Sequence, residues 1–218
     1  MASVAHIVGN GRNAGLYTPT KGLKIACNYP HSAIDNLYAT VMVDFKMMKA
    51  IHEGKLTIDG DWVLGARPKK WMEMRNDFHM KYARQIKEFY LVLPKYAPNY
   101  TDFNCGHMAV HWAANKLKRE EIHMYGFDSI FGFDITSAVD LILPSPRDNL
   151  NTQRLTENWR PIWHHMFREF PKTNFIIHQQ KGNALIKLPD NVEVRRPKGK
   201  VMSRELTKDS FEKLRNSS

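Results

Sequence analysis

Short apolar runs that each end at glycine, asparagine or aspartate recur along this chain and constrain its fold more than any other feature. The first three runs cover residues 4–8, 23–27 and 38–43. Runs of this length and composition, bounded by turn residues, are typical of buried strands in a parallel sheet. Because the carboxyl ends of parallel strands meet at one edge, where open α/β sheets bind ligands, the residues that follow these runs are predicted to lie together.

The rest of the chain alternates between strand-like and helix-like segments. Further strands are predicted at residues 61–65, 88–93, 121–125, 174–178, 184–188 and 192–194, and helices at residues 45–52, 71–87, 107–118 and 149–170. This alternation predicts an α/β fold with a Rossmann-like, mainly parallel sheet flanked by helices. In this interpretation residues 1–194 form a single nucleotide-binding domain, with a small helical lid at approximately residues 130–170.

The composition is that of one well-packed domain. Of the 218 residues, 43% are hydrophobic, which is enough for a sizeable core and argues against wholesale disorder. No apolar run approaches the roughly 20 residues of a membrane span. The N-terminus lacks a signal-peptide pattern, so we expect a cytoplasmic protein with no transmembrane segment. Two cysteines, Cys27 and Cys105, are too few for a disulfide framework or a four-thiolate zinc site.

A basic C-terminal tail, residues 195–218, carries half of the formal net charge of +10. A tail of this kind contacts nucleic acid, an acidic polysaccharide or a membrane surface, or it only keeps a protein in solution. Nucleic acid is therefore one partner to test. A smaller basic cluster at residues 67–70 fits a charged helix end or a loop.

The residues at the predicted strand ends have the chemistry of a nucleotide site. Glycine lets a ligand approach the backbone closely, and Asn and Asp side chains hydrogen-bond ribose hydroxyls and base edges. The same residue types are common in turns, so their repeated position after strands, rather than any single residue, indicates a site. The set consists of Gly9, Asn10, Gly11, Asn28, Asp44, Asn104, Gly106 and Asp128.

The glycine turn at residues 9–11 is the first of these loops. Its spacing differs from the G-x-G-x-x-G dinucleotide motif, because Ala14 stands at the position of the third glycine. A Gly-Asn-Gly turn also closes ordinary hairpins. Close to it, Arg12 is a candidate phosphate contact, and Tyr29 is a candidate for stacking on the base.

Histidines are the main candidates for catalysis. His164 and His165 are predicted as the general base or acid, because imidazole titrates near neutral pH. His107 and His111 stand four residues apart on a predicted helix, which is a zinc-ligand spacing. Met108 occupies the place of the Glu in a zinc-protease motif and no third ligand is evident, so no metal site is predicted.

Cys105 opens the helix predicted at residues 107–118, where the helix dipole is expected to lower the pKa of its thiol. One role for this cysteine is that of a nucleophile, and the other is that of a small buried apolar side chain. The chain contains no G-x-S-x-G elbow, P-loop or H-E-x-x-H motif, which argues against several hydrolase and kinase classes.

Several short motifs, taken in order, resemble a known family. They are IVGNG at residues 7–11, CN at 27–28, VD at 43–44, NCG at 104–106 and EIHMYGFDS at 121–129. This succession resembles the small bacterial sialyltransferases that use CMP-sialic acid. It is also similar to the related domain of unknown function that includes archaeal pterin pyrophosphokinases. The resemblance covers roughly residues 4–130.

The resemblance implies a donor site for a cytidine nucleotide. The residues that it places in this site are Asn10, Gly11, Asn28, Cys105, Gly106 and Asp128. The chain departs from the family in two places. Those transferases have a Ser or Thr pair where this chain has Asn104 and Cys105, and their catalytic histidine lies in the lid, where this chain offers His164 and His165 outside any motif.

The sequence therefore predicts a transferase. The favoured function is glycosyl transfer, without a bound metal or other cofactor, from a nucleotide sugar, preferably a CMP-sugar, to a saccharide or other acceptor hydroxyl. One alternative is a Mg²⁺-dependent pyrophosphokinase-like transferase that uses Asp44 and Asp128 as metal ligands. The other is a nucleic-acid-binding accessory protein that uses the basic tail, whose binding would weaken with rising salt.

Overall fold

The computed structural model describes residues 3–18, 20–30, 33–132, 137–144, 153–180 and 187–199. Within them, eight strands form one sheet in which every neighbouring pair is parallel. The strands are β1 (Val4–Val8), β2 (Leu23–Cys27), β3 (Leu37–Met42), β4 (Trp62–Leu64), β5 (Ile86–Phe89), β6 (Glu121–Tyr125), β7 (Asn174–His178) and β8 (Val192–Arg195). Their order across the sheet is β5-β4-β3-β2-β1-β6-β7-β8.

Helices connect most of these parallel strands, as crossover connections require. They are α1 (Phe45–His52), α2 (Ala66–Glu73), α3 (Asn76–Tyr82), α4 (Cys105–Asn115) and α5 (Arg160–Glu169). A 3-10 turn, Arg12–Leu16, follows β1, and a π-helical turn, Leu155–Trp159, runs directly into α5. None of the described helices is long and apolar enough to cross a membrane.

The core has two layers, one on each face of the sheet. On one face, α4 and α5 pack against alternate strand residues such as Ile7, Val41 and Ile122. On the other face, α1, α2 and α3 pack against Met42 and Leu64. The central strands are mostly apolar, as expected for strands covered on both faces, and the buried histidines His6, His123 and His178 are exceptions.

The strand order reverses between β1 and β6. The chain builds β1 to β5 outwards in one direction, and then α4 carries it back so that β6 pairs with the other side of β1. The loops that follow β1 and β6 therefore lead away from each other over opposite faces of the sheet. In open α/β sheets this point, at the carboxyl edge, is where ligands bind.

The predicted α/β, Rossmann-like fold is confirmed. The predicted bounds of β1, β2, β6, β7 and α1 agree with the structure. The single helix predicted at residues 71–87 is wrong, because that segment holds the end of α2, all of α3 and the start of β5. The chain breaks at Arg75, whose φ of −144° is extended, and α2 begins earlier than expected, since Pro68 lies in its first turn, where proline is tolerated.

Other predicted segments differ from the structure in their bounds or extend outside the described residues. The strand predicted at residues 88–93 is found at Ile86–Phe89, and residues 184–186 of another predicted strand lie outside the described residues. The domain extends past residue 194, since β8 includes Arg195, and residues 200–218 of the basic tail also lie outside the described residues. Within the segment predicted as a lid, α5 packs in the core.

Candidate functional site

A cavity of about 390 Å³ lies at the carboxyl edge of the sheet, beside the point where the strand order reverses. Its walls come from the loops after β1, β2, β3 and β6 and from the first residues of α1, α2 and α4. Of the residues predicted to bind nucleotide, those that line the cavity are Gly9, Asn10, Gly11, Asn28, Asp44, Asn104, Cys105, Gly106 and Asp128.

The remaining predicted site residues are placed elsewhere. Arg12, in the 3-10 turn after β1, and Tyr29 do not line the cavity. On α5 it is Trp163 that lines the cavity, whereas His165 is exposed and its ring stacks on Tyr96, with 5.6 Å between the ring centroids. His164 does not line the cavity either, so the structure does not bring the predicted catalytic histidines together with the strand-end residues.

The two glycines of the first loop allow it to pack against the loop after β6. Gly9 donates its N–H to the carbonyl of Tyr125 (2.7 Å), and Gly11 donates to the carbonyl of Gly126 (3.0 Å). A Cβ on Gly9 or Gly11 would lie 2.8 or 2.7 Å from the oxygen of Gly126, closer than real Cβ atoms approach. We expected these glycines to allow close approach of a ligand, but in the structure they allow close approach of the backbone after β6.

Asp128 is held in place by this same loop. Its Oδ2 accepts a hydrogen bond from the backbone N–H of Asn13 (3.1 Å), and its Oδ1 accepts one from the Asn13 side-chain amide. Asn13 is 3% exposed, and its own Oδ1 accepts from the N–H of Gln180 (2.9 Å). Asp128 therefore joins the loops after β1 and β6, and Asn13 adds the segment after β7 to the same network.

Asn28 lines the cavity and has a buried acceptor without a partner among the described residues. Its backbone is left-handed, with φ of +55°, a conformation that asparagine tolerates better than most residues, and its N–H donates to the carbonyl of Val41 (2.9 Å). The side chain is 9% exposed, and its Oδ1 is buried without a hydrogen-bond partner among the described residues. A buried unpaired acceptor costs about 1–3 kcal/mol, so a donor group on a ligand would be favourable here.

The N-terminus of α4 is capped by a reciprocal pair. Asn104 Oδ1 accepts from the N–H of His107 (3.0 Å), and the N–H of Asn104 donates to His107 Nδ1 (3.2 Å). Because Nδ1 accepts, Nε2 carries the proton and donates to the carbonyl of Trp159 (3.1 Å). Burial lowers the pKa of His107 to about 3, so this histidine is neutral and structural.

The other groups considered for chemistry on α4 are also buried. The Cys105 thiol donates to the carbonyl of Val41 (2.8 Å), and burial raises its pKa well above the ordinary value. The expected lowering by the helix dipole is therefore wrong, because the cost of burying a thiolate is larger. His111 Nδ1 bonds the Tyr90 hydroxyl (2.6 Å) instead of facing a metal. Within the described ranges no group of three His, Cys, Asp or Glu side chains is suited to hold a metal ion.

Three basic side chains line the cavity that the sequence did not indicate as site residues, although Arg67 belongs to the basic cluster at residues 67–70. Lys46 and Arg67 lie in the first turns of α1 and α2, and Arg154 precedes the π-helical turn. Arg67 Nη1 donates to Asp44 Oδ1 (2.7 Å), and its guanidinium lies 5.1 Å from the centroid of the Phe45 ring. The signal for Arg67 was its place two residues after Gly65, the residue that ends a predicted strand.

Two tryptophans complete the wall opposite the strand ends. Trp159 ends the π-helical turn, and Trp163 lies one turn further along α5. The sequence indicates both only as apolar positions of a packed helix. Taken together, the cavity combines a buried acceptor, the starts of three helices, three cations, two carboxylates and an aromatic wall. The helix starts and the excess of cations suit an anionic ligand with a flat ring.

Comparison of the chain with family models, with curated proteins and with solved structures gives no match. The resemblance to the sialyltransferases therefore stays a prediction from short motifs.

Proposed function

We propose that the protein is a nucleotide-dependent transferase that binds a nucleotide sugar in this cavity and transfers the sugar to an acceptor hydroxyl. The observation that carries the proposal is that the eight residues predicted from strand ends line one cavity at the reversal of strand order, together with Cys105 from the motif resemblance. The unpaired Oδ1 of Asn28 supports it, since ribose hydroxyls and base N–H groups are the donors that such an acceptor binds. Among donors, a CMP-sugar is favoured by the motif resemblance.

The proposed reaction needs a base for the acceptor hydroxyl, and Asp44 is our candidate. Two carboxylates, Asp44 and Asp128, line the cavity. Both oxygens of Asp128 accept hydrogen bonds from Asn13, whereas the ion pair with Arg67 uses only Oδ1 of Asp44. The acceptor oxygen would attack the anomeric carbon, its proton would pass to Asp44, and the bond to the phosphate would break, releasing the nucleotide.

The Mg²⁺-dependent alternative is less well supported by these contacts. Asp44 and Asp128 both accept hydrogen bonds from N–H donors, which would compete with a cation. The only D-x-D pair in the sequence, Asp59 and Asp61, directly precedes β4 and so lies at the amino edge of the sheet, away from the cavity. The effect of Mg²⁺ on nucleotide binding is therefore one arm of the experiment below.

The first experiment is a thermal-shift and calorimetry screen with CMP, UDP, GDP, ADP and their sugar conjugates, each with Mg²⁺ and with EDTA. A ligand that binds only the folded state raises the free energy of unfolding by about 2.7 kcal/mol at 100 times its Kd. We expect stabilisation by a cytidine nucleotide in EDTA. If none of these nucleotides stabilises the protein, the proposed function is wrong, and a strict Mg²⁺ requirement would favour the pyrophosphokinase-like alternative.

Asn28→Ala tests the site itself, with Asn36→Ala as a matched control. Both residues have left-handed backbones, with φ of +55° and +54°, so both variants pay the same backbone cost. Asn36 is exposed and does not line the cavity. We expect only Asn28→Ala to weaken nucleotide binding, by about tenfold for one lost hydrogen bond. Asp44→Asn should retain binding and lose sugar transfer, measured as release of the nucleotide in the presence of acceptor.

A further inference from the structure

The cavity contains a second buried polar group that lacks a partner, and it is a donor. The indole Nε1 of Trp159 is buried and has no hydrogen-bond partner among the described residues, and Trp159 lines the cavity. The unpaired group of Asn28, which is nine-tenths buried on the same cavity, is an acceptor. A ligand that satisfies both must present a donor at one place and an acceptor at another.

Trp159 is fixed relative to the start of α4. Its carbonyl oxygen accepts the Nε2–H of His107 (3.1 Å), and His107 is itself bonded to Asn104, the residue that caps α4. The position of the indole is therefore set by the same capping pair that sets the helix N-terminus. The first helical bond of α4 runs from the N–H of Met108 to Asn104, so the N–H groups of Cys105 and Gly106 precede it.

Arg154 is held beside this indole. Its Nε and Nη2 donate to Asp102 Oδ1 at 2.9 and 2.7 Å, and Nη2 also donates to the carbonyl of Thr101 (3.1 Å). Asp102 is only 5% exposed, so this ion pair is shielded on the carboxylate side. The guanidinium lies 5.5 Å from the centroid of the Trp159 ring. The hydrogen bonds to Asp102 and Thr101 use Nε and Nη2 of Arg154 and do not involve Nη1.

Donors and positive charge thus converge on one wall of the cavity. They comprise the indole N–H, the Arg154 guanidinium and the N-terminal end of α4 with its partial positive charge. Of the two carboxylates of the cavity, Asp44 follows β3, and Asp128 follows β6, where its two oxygens accept hydrogen bonds from Asn13. A phosphate supplies several acceptor oxygens for these donors, and its negative charge is favoured at the N-terminus of a helix.

We propose that Trp159, Arg154 and the N-terminus of α4 form the phosphate subsite of the cavity, with the nucleoside directed toward Asn28. The assignment rests on the proposed function and deepens it, because it states which wall meets the anionic part of the nucleotide. In this arrangement the connection between β6 and α5 carries the residues that distinguish a nucleotide from its nucleoside.

The test is isothermal calorimetry with four pairs of probes, namely cytidine and CMP, uridine and UMP, guanosine and GMP, and adenosine and AMP. Wild-type protein should bind at least one monophosphate about tenfold or more tightly than its nucleoside. Trp159→Phe keeps the ring and removes the N–H, so it should weaken the monophosphate about tenfold and leave the nucleoside within about twofold. Arg154→Lys, which keeps the charge and loses the fork, should act in the same direction.

Trp71→Phe is the matched control, since Trp71 also carries an arginine over its ring, Arg75 at 4.1 Å, but does not line the cavity. It should change neither affinity. Equal weakening of nucleoside and monophosphate by Trp159→Phe would show that Trp159 only packs, and would overturn the phosphate subsite. Equal wild-type affinity for nucleoside and monophosphate in every pair that binds would also overturn it while leaving the proposed function intact. Failure of all eight probes to bind would contradict both proposals.

Discussion

The backbone N–H of Gly11 donates to the carbonyl of Gly126 over 3.0 Å, and this bond joins the two loops between which the strand order of the sheet reverses. In open α/β sheets the crevice between two such loops receives the ligand. Here the loops close on each other at their base, and the cavity extends beside them to the residues after β2 and β3.

This contact makes Gly11→Ala costly for a steric reason. The new Cβ would lie 2.7 Å from the oxygen of Gly126 in a backbone that alanine adopts freely, since φ at residue 11 is −74°. We expect the free energy of unfolding to fall by about 3 kcal/mol, at the upper end of overpacking costs. Urea denaturation measures the change.

Gly54→Ala is the matched control, because Gly54 has a φ of +67° and no atom within 4 Å of the added Cβ. Gly54→Ala should lower the free energy of unfolding by about 1 kcal/mol, the cost of placing a Cβ in a left-handed backbone. If Gly11→Ala destabilises no more than Gly54→Ala, the close packing of the two loops is wrong.

Removal of the Asn13 side chain should loosen both loops. Asn13→Ala removes the side-chain hydrogen bond from Asn13 to the Asp128 carboxylate and leaves the N–H of Gln180 without the Asn13 acceptor. Because Asn13 is buried, we expect a loss of about 2–3 kcal/mol in urea denaturation. Gln153→Ala removes an exposed amide that bonds Glu157 and should cost less than about 0.5 kcal/mol. Similar small losses for both variants would contradict the role of Asn13.

Stability should fall as the pH drops from about 6.5 toward 4. Burial lowers the pKa of His6 and of His178 from 6.5 to about 4, and that of His107 to about 3. The neighbouring His123, which stacks on His6 and bonds His178 (2.8 Å), is the second cause of the lowered pKa of His6 and of His178 after burial. Above about pH 6.5 these histidines are neutral in both states, and between about 6.5 and 4 the unfolded chain binds more protons, so unfolding becomes easier.

The measurement is urea denaturation at several pH values from 7.5 to 4. His6→Gln should reduce the slope of stability against pH, because one of the histidines with a lowered pKa is removed. A wild-type stability that does not change between pH 7 and 5 would show that these histidines are solvated.

Both thiols should be protected in the native protein. Cys27 is 2% exposed and Cys105 is 7% exposed, and burial raises the pKa of Cys105. We expect neither to react with Ellman's reagent within minutes near about pH 8, where an ordinary exposed thiol is partly ionised. Both should react after unfolding in guanidinium chloride. Rapid reaction of the Cys105 thiol in the native state would support a role for Cys105 as a nucleophile.

The sequence predicts the central strands well because their signal is local. The strands β1, β2, β6 and β7 are short, mostly apolar runs bounded by polar or turn residues, so their bounds follow from composition alone. For the edge strand β5, the sequence predicts residues 88–93 instead of Ile86–Phe89, because residues 88–93 are more apolar. Its true position depends on pairing with β4, which a local pattern does not contain.

The same distinction separates the parts of the site. Strand-end residues such as Asn28 and Asp44 follow from the strands, and the cavity has them on its walls. Arg154 and Trp159 lie just before α5, where the ion pair with Asp102 and the bond to His107 hold them at the cavity. These partners are remote in sequence, so no spacing or periodicity indicates them.

The central place of β1 has a consequence for how the chain folds during synthesis. In β1, His6 pairs with Lys24 of β2 on one side and with His123 of β6 on the other. The ribosome therefore synthesises the second partner of β1 much later than the first. Until β6 leaves the ribosome, β1 is the exposed edge of a half-built parallel sheet, with unpaired backbone groups and an apolar surface. Closure of that long loop makes folding slow relative to proteins with local contacts, and the nascent N-terminal half is the part most in need of a chaperone.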